Sequence, residues 1–350
     1  MKKTLLGMSA AAVLFSACSG ELKLREDNID EVVAAMTLEE KAQLIIGVGM
    51  PGVPVDQPVI GASDGGKVPG AAGFTASIER LGIPAIALCD GPAGLRISPT
   101  REGDEQTYYC THFPIGTLLA STWNTELVKQ VGEAMGNEVL EYGGDVLLAP
   151  AVNIHRNPLC GRNFEYYSED PLVAGKTAAA YVRGIQSQGI IAVGKHYAAF
   201  AQDASPAGKT DIIVSEQALH ELYLPAFEAA IKDGGMMGLM SSYNSVNGTF
   251  ASANTYLQLD VLRDLWGYQG FTITDWGGND GFTLTKGTDY TYTTTTTDDC
   301  TFEISIPWTA NNAPKYNSNN TIEVTYSATI NTGAALDTAL TNDAQLKWTD

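Results

Sequence analysis

Between about residues 28 and 280, two hydrophobic patterns take turns along the chain. Four stretches carry apolar residues at three- and four-residue steps, which predicts amphipathic helices. They are EVVAAMTLEEKAQLII (31–46), NTELVKQVGEAMGNEVLEYG (124–143), PLVAGKTAAAYVRGIQSQG (171–189) and SEQALHELYLPAFEAAIKDG (215–234). Asn124, Asp170 before Pro171, and Ser215 before Glu216 read as helix starts. Gly189 and Gly234 read as stops.

Between the helices lie short, nearly continuous apolar runs: IPAIALCDG, GGDVLLAPAVNI, IIAVGKHYA, MMGLMSSYN and GFTITDWGG. Such runs alternating with helices indicate parallel strands covered on both faces. Pattern alone allows an open doubly wound sheet or a closed barrel. The polar residues favour the barrel. Each run ends in them: Asp90, then Asn153-His155-Arg156, Lys195-His196, Ser242-Tyr243-Asn244, and Asp275-Trp276. Polar groups gathered at the carboxyl ends of successive strands are how a (β/α)8 barrel builds its site.

Past residue 280 the pattern changes. Eighteen of the last seventy residues are threonine, which favours strands. TIEVTYSATI alternates polar and apolar positions, as a half-buried antiparallel strand does. The expected architecture is therefore α/β: a (β/α)8-type barrel over 18–280, expected to be incomplete, then a small Thr-rich all-β segment over 281–350. No repeat of 20–50 residues is visible.

Residues 1–17 read as a targeting segment. MKK supplies positive charge, and TLLGMSAAAVLFSA is apolar but too short to span a bilayer. FSAC resembles a bacterial lipoprotein signal with lipidation at Cys18; an ordinary secretory signal is the alternative. Either predicts export, to the periplasm or cell surface, with the membrane met only through a lipid anchor at Cys18. The formal net charge of −19 argues against a nucleic-acid partner. Of the remaining cysteines, Cys110 and Cys160 are the pair to test, although Cys89, Cys110, Cys160 and Cys300 allow three complete connectivities. No histidine pair has metal-ligand spacing, so no metal or other cofactor is expected. GVGMPG (47–52) follows a helical run rather than a strand, which rules out a dinucleotide site.

Seven stretches now point to a family. MTLEEKAQLIIG, GIPAIALCDGPAGLR, FPIGTLLASTWN, LLAPAVNIHRNPLCGRNFEYYSEDP, GKHYAAF, MSSYNSVNG and VLRDLWGYQGFTITDWG resemble the N-terminal barrel of glycoside hydrolase family 3, the β-glucosidase family. The resemblance implies a retaining β-glycosidase acting on terminal β-D-glucosides or related oligosaccharides. It places Asp275 on the catalytic nucleophile. It places Asp90, Arg162, Lys195, His196 and Tyr243 on residues that bind the sugar, and Trp276 on an aromatic bordering the same subsite. A carboxylate nucleophile must be ionised, and Lys195 and Arg162 could hold its pKa down if they lie near it. Lys195, as a site residue, is expected to be dispensable to the core.

Two departures qualify the expectation. The chain continues AAFAQDASPAGKTD after Lys195-His196, where much of the family has an Asn- and Glu-containing loop. In the β-glucosidase branch of the family an α/β sandwich domain donates the acid/base glutamate, and another branch uses a histidine in the loop after Lys-His-Phe. Neither is recognisable, so the usual acid/base is expected to be missing. Brisk hydrolysis of a poor leaving group would mean that Asp203 or a carboxyl of the tail has taken its place. NTIEVTYSATINTGAALDTALTNDAQLKWTD instead resembles the last strands of pilin or adhesin domains with an immunoglobulin-like sandwich. A non-catalytic carbohydrate-binding surface protein, or an inactive fragment, is therefore the alternative reading. Sequence leaves the oligomeric state open.

Overall fold

The computed structural model describes residues 21–47, 67–200 and 210–276, with the backbone of four short strands between 291 and 314. Cys18, Asp203, the boundary near Gly281, Cys300 and TIEVTYSATI lie outside the described residues. Two compact units divide the chain, Met1–Thr283 and Leu284–Asp350.

In the first unit, the stretch read as one helix over 31–46 forms two, α1 (Ile29–Ala35) and α2 (Leu38–Ile46). Thr37 separates them. Its hydroxyl accepts the Glu40 N–H at 3.2 Å, and the Glu40 carboxylate accepts the Thr37 N–H at 2.8 Å. This reciprocal cap restarts the helix despite the apolar period running across it. Next come α3 (Gly116–Ser121), α4 (Thr125–Glu141) and α5 (Pro171–Gln186). Asn124 and Asp170 cap the last two through their side chains. The stretch after Ser215 breaks into α6 (Glu216–Ala218), a wider π-helical turn over Leu219–Tyr223, and α7 (Pro225–Lys232). Pro225 lacks the N–H that a continuous helix needs and so sits at the start of the new one.

The strands are β1 (Gly73–Phe74), β2 (Ala87–Asp90), β3 (Val146–Leu148), β4 (Ile191–Tyr197), β5 (Asp211–Ile212), β6 (Gly238–Ser241), β7 (Ser245–Val246), β8 (Thr249–Phe250) and β9 (Phe271–Thr274). Six of them form one sheet in the order β1-β2-β3-β4-β6-β9, parallel from β2 onward. This is the curled half of a barrel. β5, β7 and β8 form a small separate sheet.

Alternation along the strands sorts side chains between two cores. Leu147, Ala192 and Leu239 face the helices and join the large cluster with α4, α5 and α7. Val146, Leu148, Val193 and Met240 face inward and form a second cluster with Ala72, flanked by Ile273 and Trp276. Covering both faces explains the continuous apolar runs. β9 is the exception: Phe271 is 36% exposed, and among the described residues the strand pairs only with β6.

In the second unit the described residues are all strand. β10 (Thr291–Thr294) pairs antiparallel with β11 (Phe302–Ser305), and β12 (Thr309–Ala310) with β13 (Ala313–Pro314).

The closest helix pairing, α4 on α5, depends on glycines. A Cβ at Gly132 would sit 2.5 Å from the Tyr181 carbonyl oxygen, and one at Gly184 would sit 2.2 Å from that of Lys129. Gly184→Ala gains helix propensity but forces the two backbones apart. Overpacking costs about 1–3 kcal/mol, against a gain of about 1 kcal/mol in propensity. Thermal unfolding should show a lower Tm; a Tm equal to or above that of the parent chain contradicts the close approach.

Candidate active site

At the carboxyl ends of the strands the structure brings together Asp90, Arg162, Lys195, His196, Tyr243 and Asp275. Lys195 lies on the inward phase of β4, in step with Val193. A register irregularity between Lys195 and Tyr197 follows, and Tyr197 joins the helix-side core. The irregularity breaks strict alternation, so Lys195 and His196 can both serve the site. Asn153, after β3, fixes the backbone there. Its amide oxygen accepts the His196 N–H at 2.7 Å, and its amide nitrogen donates to the His196 carbonyl at 2.8 Å.

The charged groups form two clusters, one around Asp90 and one around Glu165, and leave one oxygen over. Lys195 Nζ lies 2.6 Å from Asp90 Oδ1, and Arg96 Nη1 donates to Asp90 Oδ2 at 3.2 Å. Arg162 Nε donates to Glu165 Oε1 at 2.5 Å. Asp275 Oδ1 accepts the N–H of Trp276 at 2.8 Å. Asp275 Oδ2 is buried and has no hydrogen-bond partner among the described residues. Its neighbour is His196 Nε2, at 3.6 Å.

That neighbour is not a cation. Burial drives the His196 pKa well below its ordinary value, and the charges of Arg162 and Lys195 push the same way. Arg162 Nη2 reaches His196 Nε2 at 2.8 Å, and a guanidinium can only donate. Nε2 is therefore the acceptor, and the ring proton sits on Nδ1, 3.1 Å from the Tyr166 hydroxyl.

Burial pushes both aspartates the same way, but their net directions differ. Burial raises the pKa of Asp90, but the charge and hydrogen bond of Lys195, helped by Arg96 and Arg162, overcome it and hold the value below the ordinary one. For Asp275 burial prevails. Lys195, Arg162, the Trp276 N–H and the Tyr243 hydroxyl all lower its pKa, yet the net direction is upward. Lys195 and Arg162 do pull the Asp275 pKa down, as expected, but the cost of burying the charge is larger and sets the net direction. The structure corrects the view of Lys195 as dispensable to the core. Lys195 is 4% exposed, and removing it would strand a buried Asp90 carboxylate.

Tyr243 packs against Ala151, Tyr166 and Phe200. Trp276 is half-buried in the inner core, where a Cβ at Gly73 would lie 3.8 Å from its ring. Sequence reasoning left Glu165, Tyr166, Phe200 and Arg96 out of the site. The three-residue spacing of Arg162 and Glu165 was a visible signal, but it equally describes an ordinary ion pair. Cys110 and Cys160 are free thiols, so the suggested pairing is not formed.

Residues 72–293 match the family model described as the glycosyl hydrolase family 3 N terminal domain. The chain belongs to glycosyl hydrolase family 3. Over 250 residues it is 42% identical to β-glucosidase A of Butyrivibrio fibrisolvens, covering 71% of this chain and 28% of that protein. An exo-alpha-(1->6)-L-arabinopyranosidase of Bifidobacterium longum is 39% identical over 273 residues, covering 76% of this chain and 33% of that one. The structure of β-glucosidase 3B from Thermotoga neapolitana in complex with glucose superposes with a TM-score of 0.68 at 53% identity, covering 73% of this chain and 34% of that one. The chain thus spans about a third or less of the length of these relatives.

The upward direction at Asp275 has a consequence for stability. The folded chain holds this proton to a higher pH than the unfolded chain, so ionising Asp275 costs folding free energy. The cost is absent below the ordinary value of 3.8, grows as pH rises through the raised value, and is fully present above it. Asp275→Asn should therefore raise Tm at pH 7, with the gain shrinking toward pH 3.8. A variant less stable than the parent at neutral pH contradicts the assignment of burial as the dominant effect.

Proposed function

We propose that the chain is an exported, retaining β-glycosidase acting on terminal β-D-glucosides or related oligosaccharides, with Asp275 as nucleophile. One observation carries the reading: a buried carboxylate, Asp275, whose Oδ2 satisfies no hydrogen bond among the described residues and whose side-chain donor is the Tyr243 hydroxyl, set among groups able to bind sugar hydroxyls. A buried, unpartnered carboxylate oxygen is costly and calls for a use. In a retaining mechanism that oxygen attacks the anomeric carbon, the aglycone leaves, and water later cleaves the glycosyl ester. Asp90, Lys195, Arg162, His196 and Tyr243 are proposed to hold the sugar, and Trp276 to border it. Their mutual bonds fix the site before substrate arrives, which favours a productive orientation. The relatives named above include enzymes for glucosides and for an arabinopyranoside, so the class of sugar is proposed more firmly than the sugar itself.

No described residue is assigned the acid that protonates the leaving oxygen. Such an acid is typically worth about 10²–10⁴-fold. A dinitrophenolate leaves without that help. Dinitrophenyl β-glucoside should therefore be turned over by the chain, and Asp275→Asn should lower the rate by roughly 10³-fold or more. Equal rates would overturn the nucleophile assignment. No turnover by the parent chain, with sugar still bound, would favour a carbohydrate-binding protein.

Export and anchoring through Cys18 are proposed from the charged and apolar stretches that precede it. Dual acylation anchors far more firmly than a single chain. Intact mass and detergent partition of the exported protein should show a lipid-modified N-terminal Cys18. A product soluble in the aqueous phase, with Cys18 unmodified, contradicts the anchor.

A further inference from the structure

We propose that Glu165 is a positioning residue: by holding Arg162, it keeps that cation off Asp275 and leaves the Asp275 oxygen free for the sugar. The inference rests on the nucleophile assignment made above. It follows from how charge is distributed at the strand ends. Asp90 and Arg96 face the site from β2 and the loop after it. Arg162, Glu165 and Tyr166 face it from the turn before α5. Lys195 and His196 come from β4, Tyr243 from the segment after β6, and Asp275 from the end of β9. Lys195 is committed to Asp90, which also holds Arg96. Lys195 and Arg162 both act on Asp275 through their charge, and of the two Arg162 is the one that also touches His196, the neighbour of Asp275 Oδ2. It is drawn the other way, with Nε on Glu165 and Nη2 on His196, and its guanidinium lies 5.4 Å over the Phe200 ring.

Glu165 is built to hold that position. It is 6% exposed, on a single 3₁₀ turn, Asn163–Glu165. The Thr117 hydroxyl of α3 lies 3.2 Å from the carbonyl oxygens of Asn163, Phe164 and Tyr166. A Cβ at Gly116 would lie 2.3 Å from the Glu165 carbonyl oxygen, so α3 seats directly on the turn. A carboxylate fixed this firmly sets where the guanidinium goes. Without it, Arg162 is a poorly compensated charge beside an unpartnered carboxylate oxygen. The two would pair, since a charge-assisted guanidinium–carboxylate contact is among the strongest available. Pairing would occupy the oxygen that must attack, make it less basic, and release His196 Nε2.

A purely structural ion pair would lower stability alone. The test therefore compares the full chain with Glu165→Gln and Glu165→Asp by two readouts. The first is the protonation midpoint of Asp275 from carboxyl ¹³C NMR, with His196 ¹⁵N shifts alongside. The second is the pH dependence of dinitrophenolate release. In Glu165→Gln the Asp275 midpoint and the acidic limb of the rate profile should both move down by on the order of one pH unit. The His196 Nε2 shift should change, and kcat should fall about tenfold, more than KM rises. Glu165→Asp should recover part of each. Equal Asp275 midpoints in the parent chain and Glu165→Gln, with only Tm reduced, overturn the proposal. If the parent chain releases no dinitrophenolate, the nucleophile assignment fails, and the NMR midpoints still decide what Glu165 does.

Discussion

The contact between Lys195 and Asp90, 2.6 Å long and buried on both sides, is the constraint from which the rest of the site follows. Burying either charge alone would cost several kcal/mol; burying them together is tolerable. The pair ties β2 to β4 across the inward face of the sheet. It also removes Lys195 from competition for Asp275. Arg162 is removed in the same way by Glu165. What remains is a carboxylate inside a cationic neighbourhood with no cation bound to it. The charges of Lys195 and Arg162 offset part of the burial cost of ionising Asp275, while its Oδ2 stays available.

Such a site needs a scaffold that does not yield. The parallel strands β2, β3, β4 and β6 are covered on both faces, and glycines bring α4 and α5 into backbone contact behind them. The irregularity in β4 and the two-sided grip of Asn153 on the His196 backbone hold the critical segment. The His196 ring is constrained from both nitrogens as well, by Arg162 and by Tyr166. Its proton is therefore placed on Nδ1, and the face toward Asp275 carries none. Belonging to glycosyl hydrolase family 3 agrees with this arrangement, although the match reaches only a fraction of each relative's length.

Much of this was legible in the sequence, because strand-end polar residues stand out against apolar runs. Asp90, Lys195, His196, Tyr243 and Asp275 all announce themselves that way. Trp276 stands beside Asp275 at the end of its run, and Arg162 needed the family resemblance. Glu165 escaped because a glutamate three residues after an arginine looks the same on a surface turn as in a buried one. The upward direction of the Asp275 pKa is not legible for a related reason: sequence shows which cations exist, not how deeply the carboxylate beside them is buried. The helix break at Thr37 was missed because the apolar period continues across it, while the reciprocal cap with Glu40 is a local hydrogen-bond choice. The exposure of β9 could not be read from GFTITDWGG, since burial of a strand depends on what lies beside it rather than on its own residues.

The central claim is that the free oxygen of Asp275 is the group that meets the sugar. Trapping the chain with a dinitrophenyl 2-deoxy-2-fluoro-β-glucoside, followed by peptide mapping of the product by mass spectrometry, tests it most directly. The account predicts one fluoroglucosyl ester, on Asp275 in the peptide containing GFTITDWGG. An ester on Asp90, on Glu165 or on any other carboxylate would contradict it, as would a chain that releases dinitrophenolate without becoming labelled.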